Sequence, residues 1–177
     1  MINSYLQENA FYRIILPVID MATKTNAVRL VEQAGIRCTE HFYEYDENDL
    51  NGNHAARAIG YPPEQVFKTL VARGERTGIH VFCIPVCCEL DLKKAATAAK
   101  DKNISMLPVK ELLATTGYIR GGCSPVGMKK KYPTHIDEVC ELYDEIAVSA
   151  GARGHQMVLS PTDLINLIDA DIADLIV

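Results

Sequence analysis

Residues 117–131 read Gly-Tyr-Ile-Arg-Gly-Gly-Cys-Ser-Pro-Val-Gly-Met-Lys-Lys-Lys, a stretch whose residue types suit the holding of an anion or a polarised carbonyl. The adjacent Gly121 and Gly122 permit a positive φ or a close approach of main chain to a ligand, which side-chain-bearing residues do not do cheaply. Ser124-Pro125 then imposes an extended or turn course. Arg120, Lys129, Lys130 and Lys131 add positive charge and the stretch holds no acid, in a protein whose formal net charge is −5. Such a loop beside a basic run fits a phosphate-bearing or carbonyl-bearing ligand. A tight β-bulge followed by a solvated lysine edge is the alternative reading.

A second candidate is Lys68, inside the run Gln65-Val66-Phe67-Lys68-Thr69-Leu70-Val71. The run is apolar and β-branched and predicts a buried strand. Lysine is almost never fully buried without a partner. A strand lysine beside a cleft could donate to a ligand's carbonyl or phosphate; on the exposed face of a half-buried strand it would do nothing of the kind.

Other chemistries are less well supplied. The chain has six cysteines and five histidines. Cys83, Cys87 and Cys88 lie close in sequence, but no Cys-x-x-Cys occurs and the histidines are not paired at ligand spacing. No metal and no cofactor is expected. Cys123 has no histidine near it in sequence and reads as a small packing residue. With no secretion signal evident, the thiols are expected to be reduced and the protein cytoplasmic.

The elements that must position these residues alternate along the chain. Thr25 or Asn26 can cap a helix with apolar positions Ala27, Leu30, Val31 and Ala34, ending at Gly35. Residues 38–45 predict a strand and 46–51 a polar loop. A short helix over 54–59 closes at Gly60. Residues 66–72 and 79–86 predict a hairpin around the Gly74–Gly78 connection. Asp91 caps an alanine-rich helix reaching about Lys100, and 109–115 form another helix. Strands over 146–149 and 156–159 flank Gly151-Ala152-Arg153-Gly154. Ser160-Pro161-Thr162-Asp163 combines an N-cap, a first-position proline and a first-turn acid, and starts the last helix. This order argues for a single α/β domain with a mixed, curved sheet. Length (177 residues), 48% hydrophobic and 23% charged content agree with one globular domain. No apolar run approaches the roughly 18 residues of a membrane span.

The segments Val66-Phe67-Lys68-Thr69-Leu70, Leu90-Asp91-Leu92-Lys93-Lys94, Thr116-Gly117-Tyr118 and Gly121-Gly122-Cys123-Ser124-Pro125-Val126-Gly127-Met128-Lys129-Lys130 together resemble the YbaK/EbsC family in composition, order and spacing. That family includes Cys-tRNA(Pro) deacylases and is related to the editing domain inserted in bacterial prolyl-tRNA synthetases. The resemblance covers about residues 22–177. Residues 1–20 fall outside it and read as an N-terminal extension of uncertain order, with 21–177 as the editing domain.

The resemblance implies a barrel-like mixed sheet with helices around it. It implies hydrolysis of mischarged Cys-tRNA(Pro), with Lys68 as the catalytic lysine near the terminal nucleotide and ester. It also places Gly121 against the aminoacyl group and Tyr43 at one side of the pocket. Gly122, Ser124, Pro125 and Gln156 are grouped with them as substrate contacts, and Lys129, Lys130 and Lys131 as tRNA contacts. In cysteine-specific members the substrate's own thiol is thought to attack its ester, which fits a chain without a Ser-His-Asp or Cys-His set. Gln156 departs from the family pattern, which has an aspartate there, so alanyl or other small aminoacyl esters, or a non-catalytic tRNA-end binding module, stay open. With one short basic run in an acidic chain, the expected partner is the acceptor end of tRNA(Pro), with prolyl-tRNA synthetase supplying further specificity, and neither a membrane nor DNA.

Overall fold

The computed structural model describes residues 24–47 and 50–177; the extension expected over residues 1–20 lies outside them. Helix α1 (Asn26–Gln33) is capped by Thr25, whose side chain accepts from the Val28 N–H. Strand β1 (Cys38–Phe42) leads through the 43–51 loop to α2 (Gly52–Ile59), capped by Asn51. The hairpin β2 (Val66–Gly74) and β3 (Gly78–Pro85) follows in full antiparallel register from Phe67–Pro85 to Gly74–Gly78. Helix α3 (Leu92–Ala98) starts at Asp91, whose carboxylate accepts from the Lys93 and Lys94 N–H groups. Strand β4 (Ile104–Met106), helix α4 (Val109–Thr116) and strand β5 (Thr134–Asp137) lead to the second hairpin, β6 (Ile146–Ala152) and β7 (His155–Leu159). Ser160 and Pro161 open α5 (Pro161–Ile168) as their types dictate, and β8 (Ala170–Ala173) ends the sheet.

The eight strands form one mixed sheet in the order β1-β7-β6-β2-β3-β5-β8, with β4 also on β2. The sheet is open: β1 and β8 are its edges, so the expected barrel-like closure stops short of a barrel. Alternation along the central strands divides the core. Phe67, Val71, Val81, Cys83, Val148 and Met157 point to one face and pack with α1, α5, Tyr118, Cys123 and Val126. Val66, Ala147 and Val158 point to the other face under α2, and Ala72, Phe82 and Ile84 point the same way under α3.

Lys68 belongs to that second face and falls between the patches covered by α2 and α3. Burial along β2 accordingly breaks at Lys68–Leu70, with buried residues before and after. The pairing of β2 breaks at the same place. Strand β6 pairs with Val66 and Phe67 only, and β4 joins the same strand at Ala72–Gly74. The middle of β2 is left free of neighbours on that side among the described residues, and a cleft opens there.

Away from the cleft, His80 and His135 are buried beside Phe82, the two imidazoles stacked with centroids 5.5 Å apart. The Thr77 hydroxyl donates to Asp101, so it accepts from His80 Nε2, leaving His80 Nδ1 to accept from His135 Nε2 at 3.2 Å. Burial lowers both pKa values; for His135 the neighbouring His80 lowers it further, while Asp101 and Asp171 oppose the shift. The unfolded chain therefore binds more protons than the native state below the ordinary imidazole value of about 6.5. Stability is expected to be complete above that pH and to be lost as pH falls through it. Urea midpoints measured between pH 7.5 and 5.5 should drop, and the drop should shrink in a His135→Phe protein. It should not vanish, because burial also lowers His155 against its Glu40 partner. An equal drop in the variant refutes the assignment.

Candidate active site

The cleft has a volume of about 670 Å³ and is walled by β2, Tyr43 and Tyr45, residues 50–55, the turn after β3, the start of α4, the glycine loop and the β6–β7 hairpin. Lys68 rises from its floor. Its side chain is 27% exposed, Nζ donates to the Val86 carbonyl at 3.4 Å, and Glu89 Oε1 stands 3.9 Å away. Both contacts are long, so the ammonium retains donors for a ligand.

Ser149 and Gln156 are direct partners across β6 and β7, and they share the face of Lys68 because β6 runs parallel beside β2. Gln156 is 7% exposed. Its Nε2 reaches towards the Tyr43 hydroxyl at 3.5 Å, and its Oε1 has no hydrogen-bond partner among the described residues. A buried amide oxygen left without a donor costs free energy of about 1–3 kcal/mol, which a ligand N–H or S–H entering the cleft would recover. A bulge between Ser149 and Ala152 carries the hairpin end towards the glycine loop.

Arg153 in that hairpin joins three walls. Its Nε donates to the Arg120 carbonyl at 3.0 Å and its Nη1 to Glu47 at 2.8 Å, while the neighbouring Gly154 carbonyl accepts from the Tyr43 N–H at 2.9 Å. The glycine loop and residues 43–47 are thereby tied to the hairpin at the cleft mouth. The sequence signal for this was the arginine between Gly151 and Gly154.

Of the residues singled out from the sequence, Lys68, Tyr43, Gly121 and Gln156 line one cleft. Gly121 has φ +85°, and a Cβ there would meet the Leu50 methyls at 3.0–3.1 Å. Gly122, Ser124 and Pro125, grouped with these residues as substrate contacts, are not among the lining residues. Gly122 is buried with its Cα against the Ala152–Arg153 backbone, where a Cβ would approach to 3.0 Å. Ser124 is fully buried and accepts from the Val126 N–H. Pro125 is buried beside it. This part of the loop is a structural turn, fastened by Tyr118 Oη donating to the Val126 carbonyl and Asn26 Nδ2 to the Gly127 carbonyl.

The basic run also lies outside the cleft lining. Lys129 donates to the Leu113 carbonyl at the end of α4 and Lys131 pairs with Asp169, both uses that a helix C-terminus and a surface acid explain. Lys130 pairs with no described residue. Cys123, as expected, packs in the core, and burial pushes its thiol up to about 12. Glu89, Leu50, His54 and Arg153 also belong to the lining and were not singled out from the sequence.

None of the described lining residues forms a nucleophile–base pair. The Ser149 hydroxyl accepts from the Gly151 N–H, His54 Nε2 bonds the Glu44 carbonyl, and the exposed Cys87 has its sulfur 3.7 Å from that of Cys88.

Residues 52–167 match the sequence profile of the aminoacyl-tRNA editing domain. The chain is 45% identical, over 86% of its length and 93% of the relative's, to EbsC of Enterococcus faecalis, named for a proposed Cys-tRNA(Pro)/Cys-tRNA(Cys) deacylase activity. It is 25% identical to the uncharacterized protein YwhH of Bacillus subtilis over 68% of this chain and 76% of that one. The crystal structure of a proposed trans-editing enzyme for prolyl-tRNA synthetase superposes with a TM-score of 0.74 at 26% identity, covering 88% of this chain and 99% of that one. With its profile match spanning most of its length and a relative this similar along nearly all of it, the chain belongs to the aminoacyl-tRNA editing domain family.

Proposed function

We propose that this protein is a trans-acting deacylase that clears mischarged Cys-tRNA(Pro), acting in the cytoplasm on the acceptor end of the tRNA, with prolyl-tRNA synthetase as a source of tRNA specificity. The observation that carries the reading is that Lys68 and Gly121 line one cleft whose described lining holds no nucleophile–base pair. An aminoacyl ester is already activated, so orientation and charge stabilisation suffice. In this reading Lys68 donates to the ester oxygen or the terminal phosphate, the Gly121 backbone bounds the aminoacyl group, and Tyr43 with Gln156 bounds its far side. The substrate sulfur attacks its own carbonyl carbon, the carbon–oxygen ester bond breaks, and the ribose oxygen leaves with the proton that sulfur gives up. The small cyclic thioester so formed is hydrolysed by water. Lys130, uncommitted within the described fold, is the member of the basic run best placed to meet tRNA phosphates.

Cysteine and serine are near-isosteres that a pocket separates weakly, but a thiol is partly ionised at neutral pH and a hydroxyl is not. Cysteinyl-tRNA(Pro) is therefore expected to be cleared much faster than the seryl ester, and the alanyl ester, with no internal nucleophile, slowest. Single-turnover assays on the three esters test this. Equal rates for cysteinyl and alanyl esters defeat thiol attack and favour an activated water, with a small-aminoacyl deacylase as the enzyme. Protection of all three esters from hydrolysis would instead identify a binding module, the reading that the neutral Gln156 motivates.

A further inference from the structure

The charged lining of the cleft is lopsided. Lys68, Arg120 and Arg153 contribute positive charge, and Glu89 is the single carboxylate among the described lining residues. Glu47 is spent on Arg153. Gln156 has an Oε1 without a partner among the described residues, which can accept a hydrogen bond but carries no charge. Glu89 is differently placed. Its backbone is held by the C-terminus, through the Val177 N–H on its carbonyl and the Leu90–Ile176 bridge, whereas its side chain is 88% exposed and only loosely engaged with Lys68 at 3.9 Å. The carboxylate sits on a fixed base and is free to swing.

An aminoacyl ester brings its own cation. The α-ammonium is attached to the carbon next to the reacting carbonyl, so a substrate whose ester meets Lys68 carries positive charge into the neighbourhood of that lysine. Like charges at such a separation repel, and more so as water is displaced. A carboxylate within 4 Å of the lysine relieves that repulsion and can form a charge-assisted hydrogen bond to the ammonium.

Building on the deacylase reading, we propose that Glu89 receives the substrate's α-ammonium and so selects esters of free amino acids over esters whose amine is blocked. Glu89 is thus a specificity-determining residue that discriminates by charge at the α-amino group, whereas the pocket around Gly121 discriminates by side-chain size.

The test compares cysteinyl-tRNA(Pro) with its N-formyl derivative, which keeps the thiol and ester but loses the positive charge, in the wild-type and Glu89→Gln proteins. Any steric cost of the formyl group is common to both proteins and cancels in the comparison. The wild type is expected to favour the free amine in kcat/KM. In Glu89→Gln that preference should fall by about tenfold or more, the scale of a charge-assisted hydrogen bond, mainly through a higher KM for the free amine and with the N-formyl ester unaffected. An unchanged preference overturns the proposal. So does an equal effect on both esters, which would make Glu89 only a counter-ion of Lys68. If the wild type clears neither ester, the deacylase reading falls and this proposal with it, so the two failures are told apart. The exposed side chain makes Glu89→Gln a benign change for folding, which a melting curve verifies.

Discussion

A Lys68→Ala protein is expected to deacylate its best substrate about a hundredfold more slowly than wild type, a loss of ~2.7 kcal/mol of transition-state stabilisation. The magnitude follows from removing the one ammonium that rises from the cleft floor beside the free middle of β2. Its internal contacts are long, to the Val86 carbonyl at 3.4 Å and Glu89 at 3.9 Å, so little of its hydrogen-bonding capacity is consumed by the fold. The side chain is partly solvated and lies between the patches under α2 and α3, so its removal leaves no closed apolar cavity. Melting temperature and circular dichroism should be close to wild type. Lys68→Met, which keeps the stem and deletes the charge, should be as slow as Lys68→Ala. Wild-type turnover in either variant, with the fold intact, would falsify the role given to this lysine.

The second large effect is expected at Gly121. Alanine there meets two separate penalties. The backbone sits at φ +85°, where a Cβ costs about 1–2 kcal/mol. The new methyl also lies 3.0–3.1 Å from the Leu50 methyls, which line the cleft. Leu50 is flexible at its tip and lines the same cleft, so relief of the contact reshapes the cleft wall. Gly121→Ala is therefore expected to lower kcat/KM at least tenfold. Combining it with Leu50→Ala relieves the contact and leaves the backbone strain, so the double variant should recover only part of the loss. Full activity in Gly121→Ala would reduce the glycine to a turn residue with no bearing on the cleft.

Local chemistry was readable where a residue acts on its own backbone. Asp91 and Ser160-Pro161 start helices because a short acceptor side chain satisfies the free N–H groups of the first turn, whatever the helix later packs against. The β2–β3 and β6–β7 hairpins could be placed because alternation and intervening glycines operate over a few residues. Strands β4, β5 and β8 were not anticipated. Thr134-His135-Ile136-Asp137 and Ala170-Asp171-Ile172-Ala173 carry polar residues and little alternation, and they are strands because β3 offers β5 an edge and β5 in turn offers one to β8.

The same division runs through the site. That 117–131 and the lysine in 66–71 were unusual is a property of residue types, and the sequence by itself determined that much: a glycine-bent loop, a lysine in an apolar strand, and the motif order that marks an editing domain. Which glycine faces the cleft was decided by the tertiary structure: Gly121, at φ +85°, has the Leu50 methyls beside it, whereas Gly122 lies against the Ala152–Arg153 backbone. The lysines of 129–131 look equivalent in sequence, yet the end of α4 takes Lys129 and Asp169 takes Lys131. Glu89 comes from the turn after β3, whereas Arg153 and Gln156 come from the β6–β7 hairpin, far from it in the chain. They share a cleft with Lys68 because β6 lies parallel beside β2 and leaves it before β4 arrives. A sheet's strand order comes from long-range burial summed over many side chains, and no local stretch of residues encodes it.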